Sequence, residues 1–109
     1  MPQRFDILEY REFYDFPRAI ILVDPSERRL FLSCAFDNDL DDYLEEFAVY
    51  AIHKSFQPRN ERSWGEQFGS QHQILGNIRC SSVEFDETKR SFLVCSDLER
   101  LLSAKKLAK

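Results

Sequence analysis

Six carboxylates crowd one stretch of the chain, Asp37, Asp39, Asp41, Asp42, Glu45 and Glu46, and no basic residue lies between Arg29 and His53. Asp37-Asn38-Asp39-Leu40-Asp41 places acids at the first, third and fifth positions, as a calcium-binding EF-hand loop does when alternate side chains of a tight turn offer oxygens to a hard cation. The rest of that pattern is missing. The sixth position needs a glycine and holds Asp42, and the twelfth needs a bidentate Glu and holds Ala48. The segment therefore reads as a solvated bend, and neither metal nor cofactor is expected.

The same concentration of charge points to a second use. With Tyr43 and Phe47 among the acids, it describes an acidic, aromatic-studded face suited to a basic protein partner, where complementary potential speeds encounter and aromatics anchor the complex. The partner-binding candidates are Asp37, Asp39, Asp41, Asp42, Tyr43, Glu45 and Trp64. The plainer alternative for the acids is a solubilising surface, and for Trp64 a ring pinning its loop to the core.

Catalytic material is sparse. His53, His72 and the three cysteines Cys34, Cys80 and Cys95 show no CxxC or HxxxH spacing, so no metal set is indicated. A Cys95 and His53 nucleophile pair rests on no sequence context, and the cysteines read as small, reduced core residues. No GxSxG, Walker-type or GxGxxG motif occurs, and with three glycines in all a phosphate-cradling loop is hard to build. No catalytic residue is assigned, so a non-enzymatic reading leads and an enzyme stays among the alternatives.

Composition narrows the classes further. A net charge of -4 repels phosphate, so nucleic acid is not an expected partner. Lys54 to Arg79 carries only a mild excess of basic residues, too little for a nucleic-acid groove. The longest apolar run, Ala19 to Val23, falls far below the roughly 18 residues that span a bilayer, so no membrane helix is expected. The N-terminus shows no secretion signal, and a cytoplasmic location is the expectation. A length of 109 residues and a hydrophobic fraction of 43% fit one domain with its own core.

The elements that must position these residues follow from pattern and punctuation. Arg4 to Tyr14 reads as a strand, broken by Asp15-Phe16-Pro17. Ala19 to Val23 reads as a buried strand, Asp24-Pro25 as the start of a type I turn, and Leu30 to Phe36 as the returning strand, with Leu30, Leu32, Cys34 and Phe36 on one face. Leu40, Leu44, Phe47 and Ala51 recur at helical spacing, which predicts a short helical turn over Asp39 to Glu45 before a strand from Glu46 to Lys54. Ser55 to Gln73 is a long polar loop. Gly76 to Phe85 and Ser91 to Cys95 read as strands, and Ser96 or Asp97 caps a helix over Leu98 to Lys106.

The expected fold is thus α+β, a mainly antiparallel sheet of about five strands, curled like an open barrel and covered by the C-terminal helix. The expected function is a protein-interaction module of regulatory, inhibitor or immunity type. The alternative is a small-molecule binder or minor enzyme with a pocket between the sheet and the 55–73 loop. A third class is a homo-oligomer that pairs exposed strand edges.

Overall fold

The computed structural model describes residues 3–34, 36–53 and 74–105. Arg4–Tyr14 (β1), Phe16–Val23 (β2), Arg29–Ser33 (β3), Glu46–Ile52 (β6), Ile74–Arg79 (β7), Glu84–Phe85 (β8) and Phe92–Val94 (β9) form one sheet in the order β7-β6-β3-β2-β1-β9-β8. Every pairing in it is antiparallel. A separate two-stranded ribbon joins Phe36–Asp37 (β4) to Asp42–Tyr43 (β5). The last element is the helix Ser96–Lys105 (α1). The α+β class, the antiparallel sheet and the C-terminal helix are as expected, while the main sheet holds seven strands where about five were predicted. One extra strand comes from Gly76 to Phe85, which is split by a 3-10 turn at Cys80–Ser82, and the other is the short Phe92–Val94.

That split makes the sheet curl. Its two edge strands, β7 and β8, are consecutive in the chain and separated by residues 80–83. Laid flat, seven strands at roughly 4.8 Å spacing would put the edges about 29 Å apart. The connection can reach at most about 18 Å. The edges therefore approach one another around a shared interior, and Phe16, from the middle of the sheet, stacks on Phe85 at 5.5 Å and packs on Phe47 at 6.0 Å.

The interior holds Phe5, Ile20, Leu22, Leu30, Leu32, Phe47, Val49 and Leu93, all essentially fully buried. Helix α1 closes one end with Leu98 and Leu102. It lies close enough to β7 that a Cβ on Gly76 would stand 2.9 Å from the movable Leu101 Cδ1, and with φ at 157° the position favours glycine. Ala19, Ile21 and Phe31 point to the opposite face and form a second buried cluster with Tyr50 and Ile52. Burial on both faces explains why Ala19 to Val23 is a continuous apolar run. The Cα radius of gyration, 13.1 Å, equals the value of about 13 Å expected for a compact chain of this size.

Local chemistry fixes the bends. Between β2 and β3, Glu27 N–H donates to the Asp24 carbonyl at 2.9 Å, the expected type I turn, and Glu27 itself takes φ 67°. The buried Asp24 carboxylate accepts from Ser26 N–H, Arg28 N–H and Arg28 Nε at 2.8 to 2.9 Å. Between β8 and β9, the Asp86 carboxylate accepts from Ser91 and Phe92 N–H with one oxygen and from Thr88 N–H with the other. The Thr88 hydroxyl bond, followed by these backbone donors, holds the Asp86 carboxyl well below the usual carboxylate range.

Three expectations are corrected. Residues 39–45 are not a helical turn: residues 38–41 form a tight bend and Asp42–Tyr43 a strand. Asp37 Oδ1 accepts from Asp39 N–H at 2.9 Å and Leu40 N–H at 3.3 Å, so the local side-chain bonds that could have capped a helix close a hairpin instead. Second, the return strand stops at Ser33, with Phe36 opening the ribbon, and β6 ends at Ile52, before Lys54. Third, the helix cap is one residue earlier than expected. Glu99 N–H donates to the Cys95 carbonyl and Leu98 N–H to Cys95 Sγ at 3.4 Å, so a thiol stands where a hydroxyl or carboxylate was predicted. The predicted 55–73 loop, with Trp64 and His72, lies outside the described residues.

The Asp24 turn supplies a test with two signs. Asp24→Ala strands two backbone N–H groups and a guanidinium, and should lower unfolding free energy by about 2 to 4 kcal/mol. Glu27→Gly removes a left-handed residue and should raise it by up to about 1 kcal/mol. Urea denaturation of both variants, with unchanged slope, checks the pair.

Candidate functional site

Extending the interior-facing alternation of β2 backwards from Leu22 and Ile20 reaches Arg18 and then Phe16. A guanidinium therefore occupies a core-facing position at the barrel mouth, and Arg18 is 8% exposed. Its charge is accommodated by aromatic faces: the guanidinium carbon lies 3.9 Å from the Phe16 ring centroid and 4.8 Å from that of Tyr43. Arg18 Nη1 reaches Cys34 Sγ at 3.5 Å, and the Arg18 carbonyl accepts from Cys34 N–H at 2.8 Å.

Cys34 follows β3 in phase with Leu30 and Leu32, so its thiol points inward and is buried. Cys80 comes from the far edge of the sheet, at the first residue of the connection that closes it. Its N–H donates to the Glu45 carbonyl at 3.0 Å, which sets its sulfur 3.9 Å from that of Cys34. Cys34 Sγ also donates to the Leu44 carbonyl at 2.7 Å. One arginine and two thiols thus meet where the β5–β6 junction crosses the barrel mouth.

A cleft of about 400 Å³ opens over this group. Phe16 and Tyr43 wall it, Arg18 and Cys80 form its base, and Asp42 and Glu45 stand at its rim. The sulfurs titrate as a pair. The Cys80 thiol, hydrogen bonded to Cys34 sulfur, and next the Arg18 guanidinium, hold Cys34 at about 7 against the opposing effects of burial and of Asp42. The same hydrogen bond, burial and the Cys34 charge push Cys80 far above the ordinary thiol value. A group of this kind can hold one thiolate near neutral pH and exchange a proton between two sulfurs.

The acidic residues singled out in the sequence divide between two tasks. Asp37 is half-buried and organises the bend. Asp39 and Asp41 are exposed at the ribbon tip, with Asp41 at φ 54°. Asp42, Tyr43 and Glu45 line the cleft, and Tyr43 turns its ring to Arg18. Leu40 and Leu44, which recur at helical spacing in the sequence, are 67% and 41% exposed. Cys95 is apart from the thiol pair: it is buried, with its sulfur 3.4 Å from Ser82 Oγ and from Leu98 N. His53 is exposed after β6.

Sequence reasoning missed Arg18 and the Cys34–Cys80 contact. The first had a signal, since period two from Leu22 lands on a charge where an apolar residue belongs. The second had none, because it depends on which edge strands meet. Among the described residues no group of three or more His, Cys, Asp or Glu could hold a metal ion, and no helix is long and apolar enough to cross a membrane.

No known protein family, characterised protein or solved structure matches this chain significantly.

The thiol pair should reveal itself by titration. Far-ultraviolet thiolate absorbance should rise as pH increases through about 7, with an amplitude of one sulfur, and Arg18→Met should move that midpoint upward. A single step at the ordinary thiol value in the unsubstituted protein would refute the arrangement.

Proposed function

We propose that this protein is a binding module, without catalytic activity of its own, that docks on a basic protein partner through the β4–β5 ribbon and the adjoining Leu44–Glu46 segment. The observation that carries the reading is the ribbon tip, where Leu40 stands 67% exposed among Asp39, Asp41 and Asp42, with Leu44 exposed beside Glu45 and Glu46. A purely solubilising acidic loop needs no leucines. Apolar side chains ringed by carboxylates instead combine an anchor that excludes water with a field that attracts a cationic surface. Tyr43 contributes indirectly, since its ring is engaged with Arg18.

The local structure suits rigid docking. The Asp37 bonds fix the bend, and the Glu45 carbonyl and Leu44 carbonyl tie its base to Cys80 and Cys34. A prearranged ribbon loses little conformational freedom on binding. The net charge of -4 favours a cationic protein over nucleic acid or an anionic membrane as partner. A small-molecule reading finds its support in the cleft over Arg18, whose volume of about 400 Å³ lies within the range of ligand pockets. The carboxylates at its rim make it a poorer host for anions than the buried guanidinium alone would suggest.

Two synthetic probes separate the terms: a lysine-rich peptide carrying leucines, and polylysine of the same charge. Fluorescence anisotropy should show tighter binding of the first, with affinity falling as salt rises. Replacing Asp39, Asp41 and Asp42 together by Asn, which tolerates the Asp41 backbone, should slow association about tenfold. Leu40→Ser with Leu44→Ser should chiefly speed dissociation. Equal binding of both probes, or indifference to both sets of substitutions, would overturn the proposal.

A further inference from the structure

We propose that Cys34 and Cys80 are a reversible dithiol–disulfide couple, a modification site for small hydroperoxides that enter through the cleft beneath the β4–β5 ribbon. The inference stands apart from the docking proposal, since it concerns the interior side of the same ribbon.

Geometry carries it. The two sulfurs lie 3.9 Å apart with no atom to be displaced between partners already in hydrogen-bond contact. Bond formation needs an approach of about 1.9 Å, to the roughly 2.05 Å of a disulfide. Both residues sit just beyond strand ends, Cys34 after β3 and Cys80 after β7, where side-chain torsions and a small backbone shift can supply it. Cys80 lines the open cleft and meets the oxidant, while buried Cys34 lies behind it beside the Arg18 guanidinium. The depressed Cys34 value supports the picture, because the pair carries a negative charge near neutrality. Cys95, buried and occupied as a helix cap, serves as an internal control.

The chemistry balances with a hydroperoxide as the oxidant. In the singly ionised pair, Cys80 passes its proton to the Cys34 thiolate, and the Cys80 thiolate so formed attacks the distal peroxide oxygen. The O–O bond breaks, leaving Cys80 as a sulfenic acid, and the departing oxygen takes a proton from solvent and leaves as water or an alcohol. Cys34 sulfur then attacks the Cys80 sulfenic sulfur, the S–O bond breaks, and the hydroxide takes up the remaining thiol proton as water. Two thiols are oxidised by two electrons and the peroxide is reduced by two. A thiol reductant reverses the bond by exchange. Oxidation also removes the hydrogen that Cys34 donates to Leu44, so the β5–β6 junction loses one tether.

The test uses the full chain, fully reduced, treated with stoichiometric hydrogen peroxide at neutral pH, quenched with N-ethylmaleimide and digested with trypsin without reductant. Trypsin separates the cysteines into Leu30–Lys54, Cys80–Lys89 and Ser91–Arg100. The expected product is Leu30–Lys54 linked to Cys80–Lys89, with Cys95 labelled by maleimide and the link abolished by dithiothreitol. Cys34→Ser should leave Cys80 trappable by dimedone, and Cys95→Ser should change nothing. Arg18→Met should slow cross-linking about tenfold, and Arg18→Lys should restore most of the rate. Absence of the 34–80 link in the native chain, or its formation no faster than in urea, overturns the proposal, whatever the variants do.

Discussion

A four-residue connection governs this molecule. Because residues 80–83 must join the two outermost strands of a seven-stranded sheet, the sheet has no flat solution and wraps around its own apolar face. The wrap brings Phe16, Phe47 and Phe85 together from strands that are not neighbours, and it leaves one mouth for α1 to stop with Leu98 and Leu102. The same connection delivers Cys80 to the other mouth. Closure and site are therefore one event: the backbone that completes the sheet also completes the group of Arg18, Cys34 and Cys80.

Arg18 sets the electrostatics of that mouth. An ionised guanidinium is expensive to withdraw from water, and its planar, weakly hydrated face is what lets two aromatic rings replace part of its hydration. Its position in the inward register of β2 means that this charge faces the core end of the cleft, not bulk solvent. A cysteine thiol is small enough for this core position and can also take up a negative charge beside the guanidinium. A methionine or leucine at position 34 would satisfy the packing and leave the guanidinium without that neighbour.

Much of the framework was legible because its signals are local. Ala19 to Val23 flanked by Pro17 and Asp24-Pro25, and Leu30 and Leu32 in alternation, specify a hairpin whose turn residues hydrogen bond as their types demand. Leu98 and Leu102 mark the buried face of α1 in the same way. The stretch from Asp37 to Glu46 was misleading for a physical reason. Leu40, Leu44 and Phe47 match a helix period, but Asp37 and Asp41 favour tight and left-handed backbone, and the short-range side-chain bonds prevailed. The number of strands was underestimated chiefly because Gly76 to Phe85 reads as one run, whereas the turn at Cys80–Ser82 divides it and leaves β8 only two residues, too few to show a period. The acids of the ribbon could be found by charge alone. Their division into tip and cleft could not, since it depends on where the barrel mouth falls.

The long first strand has a further implication for how the molecule behaves in company. Within β1, β9 pairs only with Arg4 to Asp6, so beyond Ile7 the outer margin of β1 has no strand partner among the described residues. That margin is interrupted at once by a bulge at Leu8 and again by a left-handed Glu12, and it carries Glu9, Arg11 and Glu12. Arg90 lies over Phe13 and donates to the Tyr10 hydroxyl, which occupies the rings that would otherwise invite stacking. Such a margin is a poor template for an incoming chain, because irregular spacing breaks the ladder and charged side chains resist burial against a partner. Crowding should thus leave this β-rich protein reluctant to zip into fibrillar aggregates by way of its most extended segment.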